Sequence, residues 1–134
     1  MIPGPIGKAA LAYWGMIFAL GFVLGTVRVL VLEPALGPLA ATLLELPVIL
    51  LASWLAARWL VRRFAISGPA ASLAMGGLAF ALLALSEFAL ALALPGNSPS
   101  QWMARMATPP GALGLAGQMG FALMPWAVAA RVGG

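Results

Sequence analysis

The sequence contains no cysteine and no histidine, and its acidic residues are three glutamates with no aspartate. Without Cys or His there is no usual ligand set for haem, an iron–sulfur cluster or zinc. The nucleophile–base pairs of Ser, Cys and His hydrolases are missing for the same reason. We therefore expect no metal and no cofactor, and we expect that the protein is not an enzyme.

Charge of either sign is scarce, at 7% of the chain, whereas 63% of the residues are hydrophobic. A soluble domain carries about 25% charged residues, so this chain has too little polar surface to face water. Most of it is expected to lie in lipid. The net charge of +4 comes from basic residues near the ends of apolar segments, which favours membrane topology over nucleic-acid binding.

Four apolar stretches are long enough to cross a membrane, at about 9–32, 39–61, 69–94 and 111–130. Each meets the requirement of about 20 residues, and a helix satisfies its own backbone hydrogen bonds in lipid. Segments rich in proline and glycine separate the stretches. The sequence thus predicts one all-α transmembrane domain over 1–134, with four transmembrane helices in an up-down bundle.

Basic and aromatic residues set the expected orientation. With four crossings, both termini and the second loop share one side of the membrane, and that side carries most of the lysine and arginine. The positive-inside tendency therefore predicts that both termini are cytoplasmic. A further set is expected to anchor the bundle at the interface, in part by contact with lipid headgroups. These anchors are Trp14, Trp54, Trp59, Trp126, Arg62 and Arg63.

The third loop contains the pattern of a helix start. Ser98 is placed to cap the helix, Pro99 suits its first position, and Gln101 completes a capping box. The pattern predicts a short helix that rests on the outer surface of the bilayer. A lid over a cavity is the alternative interpretation.

Apart from Arg58, near the predicted cytoplasmic end of its span, three charged residues lie within the predicted spans: Arg28, Glu45 and Glu87. Unpaired charges are costly in hydrocarbon, so such residues usually face the bundle interior and have partners. A rise of about 1.5 Å per residue places all three, and Gln118, at a similar depth in the outer third of the bilayer. We therefore expect a buried cluster in which Arg28 pairs with Glu45, Glu87 or both. The predicted site comprises Arg28, Glu45, Glu87, Gln118, Thr42 and Ser86.

Small residues are expected to form the helix-packing faces. In the first span Gly21 and Gly25 form a G-x-x-x-G pattern that allows two helices to approach closely. In the last span Gly114 and Gly117 are expected to serve the same purpose.

The polar residues admit two functional interpretations. One arginine against two glutamates leaves a carboxylate in excess, which favours proton binding and is typical of transport. Glu45 and Glu87 would then titrate or bind a small solute while Arg28 supplies countercharge. Alternatively, the pairs fix helix register, and the chain is a non-transporting accessory or scaffold subunit. Glu33 is expected to be a solvated loop charge next to Pro34.

Three segments carry a resemblance to known proteins: GFVLGTVRVL at 21–30, ELP at 45–47 and SWLAAR at 53–58. They resemble a group of small bacterial membrane proteins with four predicted helices and no assigned activity, over the first half of the chain. The resemblance implies the bacterial inner membrane. Because four short helices enclose little volume, the expected partners are the lipid bilayer and a second copy or a membrane complex.

Overall fold

In a computed structural model the chain is described over residues 4–93 and 98–132, without the side chains of residues 102, 105 and 130–132. The predicted all-α class is confirmed over these residues. The helical elements are α1 Gly4–Val27, a π-helical segment Arg28–Leu32, α2 Glu33–Leu36, α3 Pro38–Arg63, α4 Pro69–Ala93, α5 Pro99–Met106 and α6 Pro109–Val132. Leu94, the predicted end of the third span, lies outside the described residues.

Four of the helices are long and apolar enough to cross a membrane: Gly4–Leu36, Pro38–Arg63, Pro69–Ala93 and Pro109–Ala129. The first of them joins α1, the π-helical segment and α2 without a break, so it extends the predicted 9–32 at both ends. These four apolar helices are compatible with a polytopic membrane protein.

Many large apolar side chains cover the outside of the bundle, whereas the interior holds many small residues beside a few large ones such as Tyr13, Leu60 and Met75. Leu30 and Leu85 are 70% and 65% exposed, and Ala57 and Ala79 are fully buried. A soluble protein shows the reverse distribution of large apolar residues. Lipid-facing bundles place small residues between helices because these let the backbones approach.

The four long helices form a ring in the order α1, α3, α6, α4, since extensive contacts join each to the next and α4 to α1. α1 and α6 therefore lie on one diagonal, and α3 and α4 on the other. Paired contacts show that α3 runs antiparallel to α1 and parallel to α6, while α6 runs antiparallel to α4. These pairs are Gly21 with Ile49, Arg28 with Glu45, Gly117 with Leu46, Gly120 with Leu50, Gly76 with Ala122 and Gln118 with Glu87.

The chain turns between α3 and α4 through a Schellman-type helix end. Ile66 N–H donates to the Val61 carbonyl at 2.9 Å, and Ala65 N–H donates to the Arg62 carbonyl at 3.4 Å. Ile66 and Val61 are both buried, which is the apolar contact that accompanies this motif. Ala65 has a φ of +53°, a left-handed conformation that is usually occupied by glycine.

The short helix α5 begins at the predicted capping box. The Gln101 N–H donates to Ser98 Oγ at 3.3 Å, and the Ser98 N–H donates to Gln101 Oε1 at 3.1 Å. Pro99 is the first helical residue, as its missing N–H allows. The sequence pattern therefore identified this helix start from side-chain chemistry alone.

Candidate polar site between the spanning helices

Arg28 binds two carboxylates from different helices. Its Nε donates to Glu45 Oε1 at 2.6 Å, and its Nη1 donates to Glu33 Oε2 at 2.8 Å. The three side chains are only partly exposed, at 30%, 19% and 25% for Arg28, Glu45 and Glu33. Because Glu45 belongs to α3, this ion pair ties the first span to the second.

A change of helix geometry makes the contact with Glu33 possible. Residues five apart on an α-helix, with 3.6 residues per turn, are rotated by about 140° and cannot face each other. The π-helical segment begins at Arg28, and its wider turn lets the Glu33 N–H donate to the Arg28 carbonyl. The two side chains thereby lie on the same side of the first span.

Pro34 gives a local reason for the π-helical segment. A proline has no N–H to donate to the carbonyl four residues earlier, and its ring crowds the preceding turn of an α-helix. Here Pro34 follows directly after the segment, and the helix continues to Leu36. A wider turn before the proline relieves this crowding.

The structure corrects the expectation for Glu33. We predicted a solvated loop charge, but Glu33 is helical, partly buried and paired with Arg28. The prediction was wrong because it assumed that Pro34 ends the first helix. A charged residue five positions from Arg28 was available in the sequence, but only π-helical geometry brings it into reach.

Glu87 and Gln118 form a second pair, between α4 and α6. Gln118 Nε2 donates a hydrogen bond to Glu87 Oε1. Glu87 also lies close enough to Glu45 and Arg28 to interact with their charges. Its hydrogen bond, however, goes to a neutral amide, and no salt bridge to it exists among the side chains that the structure describes.

The polar residues therefore form two separate hydrogen-bonded groups, one between the first span and α3 and the other between α4 and α6. They do not form the single hydrogen-bonded cluster that we predicted. Within residues 4–93 and 98–132, no three acidic side chains converge closely enough to bind a metal ion.

Thr42, which we also predicted for the site, donates to the Pro38 carbonyl at 2.8 Å, one turn earlier on its own helix. Its side chain is buried, and this hydrogen bond stays within its own helix.

Ser86 forms its hydrogen bonds with Trp14 and with its own helix. The Trp14 indole Nε1 donates to Ser86 Oγ at 3.0 Å, and Ser86 donates to the Leu82 carbonyl at 2.7 Å. We expected Trp14 at the membrane interface and Ser86 beside the charged residues. The structure instead joins these two side chains by a hydrogen bond.

Gly114 and Gly117, the two predicted packing residues of α6, differ in how closely another helix approaches them. A Cβ at Gly117 would lie 2.6 Å from Leu46 Cδ1, so the missing side chain lets α3 approach α6. Gly114, in contrast, has no neighbour within 4 Å of such an atom. Among the described glycines, the closest approach of another helix is at Gly76, which was outside the predicted set. A Cβ there would lie 1.8 Å from the Ala122 carbonyl oxygen.

The two predicted glycines of the first span, Gly21 and Gly25, have different neighbours. A Cβ at Gly21 would lie 4.0 Å from Ile49 Cδ1, at the edge of contact. One at Gly25 would lie 3.7 Å from Arg28 Nη2, in ordinary contact with the guanidinium. A methyl group at position 25 would therefore fit beside the arginine side chain.

The tryptophans predicted as interface anchors differ in exposure. Trp59 and Trp126 are 56% and 44% exposed. Trp54 is half-buried, and the Arg58 guanidinium lies 5.3 Å from its ring centroid, within cation–π range. Trp14 is half-buried as well.

The two predicted arginine anchors, Arg62 and Arg63, occupy the last turn of α3 and are exposed. The Arg63 guanidinium lies 5.2 Å from the ring centroid of Phe64. Cations in the last turn also interact favourably with the helix dipole.

The fold and the polar pairs define a class of molecule: an all-helical chain, compatible with a polytopic membrane protein, that holds carboxylates between its spans. No protein-family model, no curated protein and no solved structure matches this chain. The likeness to small bacterial membrane proteins stays a resemblance, and a function has to be argued from the chemistry of the site.

Proposed function

We propose that the chain is a small multi-pass membrane transporter or channel-like protein that handles a proton or a small polar solute. The observation that carries this proposal is the partner of Glu87. Arg28 donates to Glu33 and Glu45, while the Glu87 carboxyl is held by the neutral amide of Gln118. A carboxyl between spans whose hydrogen-bond partner is a neutral amide favours binding of a proton or a polar solute.

The ion pair and the Glu87 pair have different roles in this proposal. Glu87 binds the proton or solute, and Gln118 holds its carboxyl by hydrogen bonding. Glu45 binds Arg28, and its charge also interacts with Glu87. Arg28 supplies the countercharge that Glu45 and Glu33 need in a medium of low dielectric constant.

The competing proposal is a non-transporting accessory or scaffold subunit. One observation favours it: the Arg28–Glu45 pair joins the first two spans and can serve helix register alone. Both proposals include a homo-oligomer or a larger membrane complex, and neither includes an enzymatic reaction. They differ in whether the polar site is needed for flux or for assembly.

The test is flux through vesicles that contain the purified protein. Glu87→Gln preserves size and hydrogen bonding but removes the titrating carboxyl, so proton or solute flux is expected to fall to the level of empty vesicles. Thr26→Val removes an exposed polar group of the first span that bonds only to the Phe22 carbonyl, and it serves as the matched control. Flux that never exceeds empty vesicles, with Glu87→Gln failing to assemble, favours the scaffold.

Location and orientation complete the proposal. We place the chain in a bacterial inner membrane, with both termini cytoplasmic and α5 on the outer surface of the bilayer. Because the chain has no cysteine, single cysteines report sidedness without background. An impermeant thiol reagent added to spheroplasts is expected to label Met103→Cys, on exposed α5, and not Lys8→Cys, at an exposed position of α1. The reverse pattern would invert the proposed topology.

A further inference from the structure

Pro125 interrupts the hydrogen bonds of α6 in the middle of the bundle. In an α-helix the carbonyl of Phe121 accepts from the N–H of residue 125, but a proline has no such N–H. Pro125 and Phe121 are both buried, so water does not satisfy this carbonyl. A buried carbonyl without a donor is costly, and most are paired in native structures.

Tyr13 supplies the missing donor from the opposite corner of the bundle. Its hydroxyl donates to the Phe121 carbonyl at 2.7 Å, and the side chain is fully buried. Its ring also stacks on the Phe121 ring, with centroids 4.2 Å apart and planes 16° apart. Stacking orients the phenol so that its hydroxyl reaches the one carbonyl that Pro125 leaves open.

The same turn of α6 is held from a second side. Gly76 of α4 lies so close to the Ala122 carbonyl oxygen that a Cβ at this position would be 1.8 Å away. A Cβ there would also lie 3.4 Å from Pro125 Cδ. The proline turn is therefore fixed by a hydrogen bond from α1 and by a close backbone contact from α4.

We propose that Tyr13 is a latch on a proline hinge in α6: its hydroxyl replaces the peptide N–H that Pro125 lacks, so the position of α1 sets the bend of α6. Gln118 lies three residues before Phe121, about one helical turn away. The latch therefore also positions the amide that holds Glu87. The inference concerns hinge energetics and does not depend on the proposed transport function.

The chain contains a single tyrosine, and its replacement by phenylalanine separates the hydroxyl from the ring. Tyr13→Phe keeps the stacking on Phe121 but leaves the carbonyl without a donor. Pro125→Ala restores a peptide N–H at position 125, which gives the carbonyl an alternative partner within α6. The two substitutions are therefore expected to be strongly non-additive.

The experiment is a double-mutant cycle of thermal unfolding in detergent. Tyr13→Phe is expected to lower the Tm of the otherwise unchanged chain by about 5 °C, the shift typical of one lost buried hydrogen bond. In the Pro125→Ala background the same change is expected to have a clearly smaller effect, because only the interaction of the hydroxyl with Ser53 is then lost. An equal drop in both backgrounds would overturn the latch, because the hydroxyl would then act independently of the proline.

A second measurement covers the case in which Pro125→Ala does not fold. Backbone hydrogen exchange of Tyr13→Phe is expected to accelerate in the part of α6 after Phe121, with α3 unchanged. Ser72→Ala is the matched control, since it deletes another buried hydroxyl, one that bonds the Gly68 carbonyl within its own segment. Unchanged exchange in α6, or acceleration spread evenly over the bundle, would contradict a local hinge.

Discussion

Arg28 and Glu33 are five residues apart in the chain, and their side chains meet at 2.8 Å. This pairing exists because the first span changes from α-helical to π-helical geometry at Arg28. Single π-helical turns occur frequently at functional sites in helices. The irregular turn here brings a second carboxylate to the one arginine that also binds Glu45.

Removing Arg28 is expected to destabilise the bundle. Arg28→Gln leaves Glu33 and Glu45 without a cation, and breaking a buried pair costs about 3–5 kcal/mol when both groups are fully enclosed. The side chains here are partly exposed, so we expect the free energy of unfolding in detergent to fall by about 1–3 kcal/mol. Arg62→Gln, at an exposed position, is the control and should change it by less than about 0.5 kcal/mol. Equal effects of the two substitutions would argue against a stabilising ion pair.

A methyl group at position 76 is expected to disrupt helix packing. Gly76→Ala places a Cβ 1.8 Å from the Ala122 carbonyl oxygen, so α4 and α6 must separate. Overpacking of this kind costs about 1–3 kcal/mol. The adjacent Gly77→Ala is the matched control, because nothing lies within 4 Å of its new Cβ.

Thermal unfolding in detergent separates the two glycine variants. Gly77→Ala is expected to hold or raise the Tm, since alanine is the better helix former by about 1 kcal/mol. Gly76→Ala is expected to lower the Tm despite the same gain in helix propensity. If both variants unfold at the same temperature, the close approach of α4 to α6 is not present in solution.

The left-handed residue at the end of α3 offers a stabilising substitution. Ala65 has a φ of +53°, which costs an L-residue about 1–2 kcal/mol and costs glycine nothing. Ala65→Gly should therefore raise the free energy of unfolding by up to about 1 kcal/mol, after the larger chain entropy of glycine is included. Ala74→Gly, at an exposed position inside α4, should lower it by about 1 kcal/mol. A loss of stability at both positions would contradict the Schellman-type turn.

Elements that depend on local chemistry and hydropathy could be predicted from the sequence. Runs of apolar residues placed the four spans, and Ser98 with Gln101 placed the start of α5, because each signal lies within a few neighbouring residues. Charges inside apolar spans need partners, so a pairing of Arg28 with Glu45, Glu87 or both was expected, and the structure has the pair with Glu45.

What escaped prediction depends on geometry that the α-helical period does not contain. Glu33 reaches Arg28 only through a π-helical turn. Pro34 in the sequence indicates a local irregularity of the helix but does not predict this particular turn. Gly76 could not be singled out from the other glycines, because its importance comes from the helix that crosses it. The signal for Tyr13 was present, since Pro125 inside a span implies an open carbonyl at Phe121 that needs a donor.

The most direct test of the central claim is whether the Glu87 carboxyl binds a proton reversibly within the folded protein. Difference infrared spectroscopy between acid and alkaline buffer detects the C=O stretch of a protonated carboxylic acid. The account predicts a band that titrates in the unchanged protein, disappears in Glu87→Gln and persists in Thr26→Val. A titrating band that survives unchanged in Glu87→Gln, or no titrating band in the unchanged protein, would contradict it.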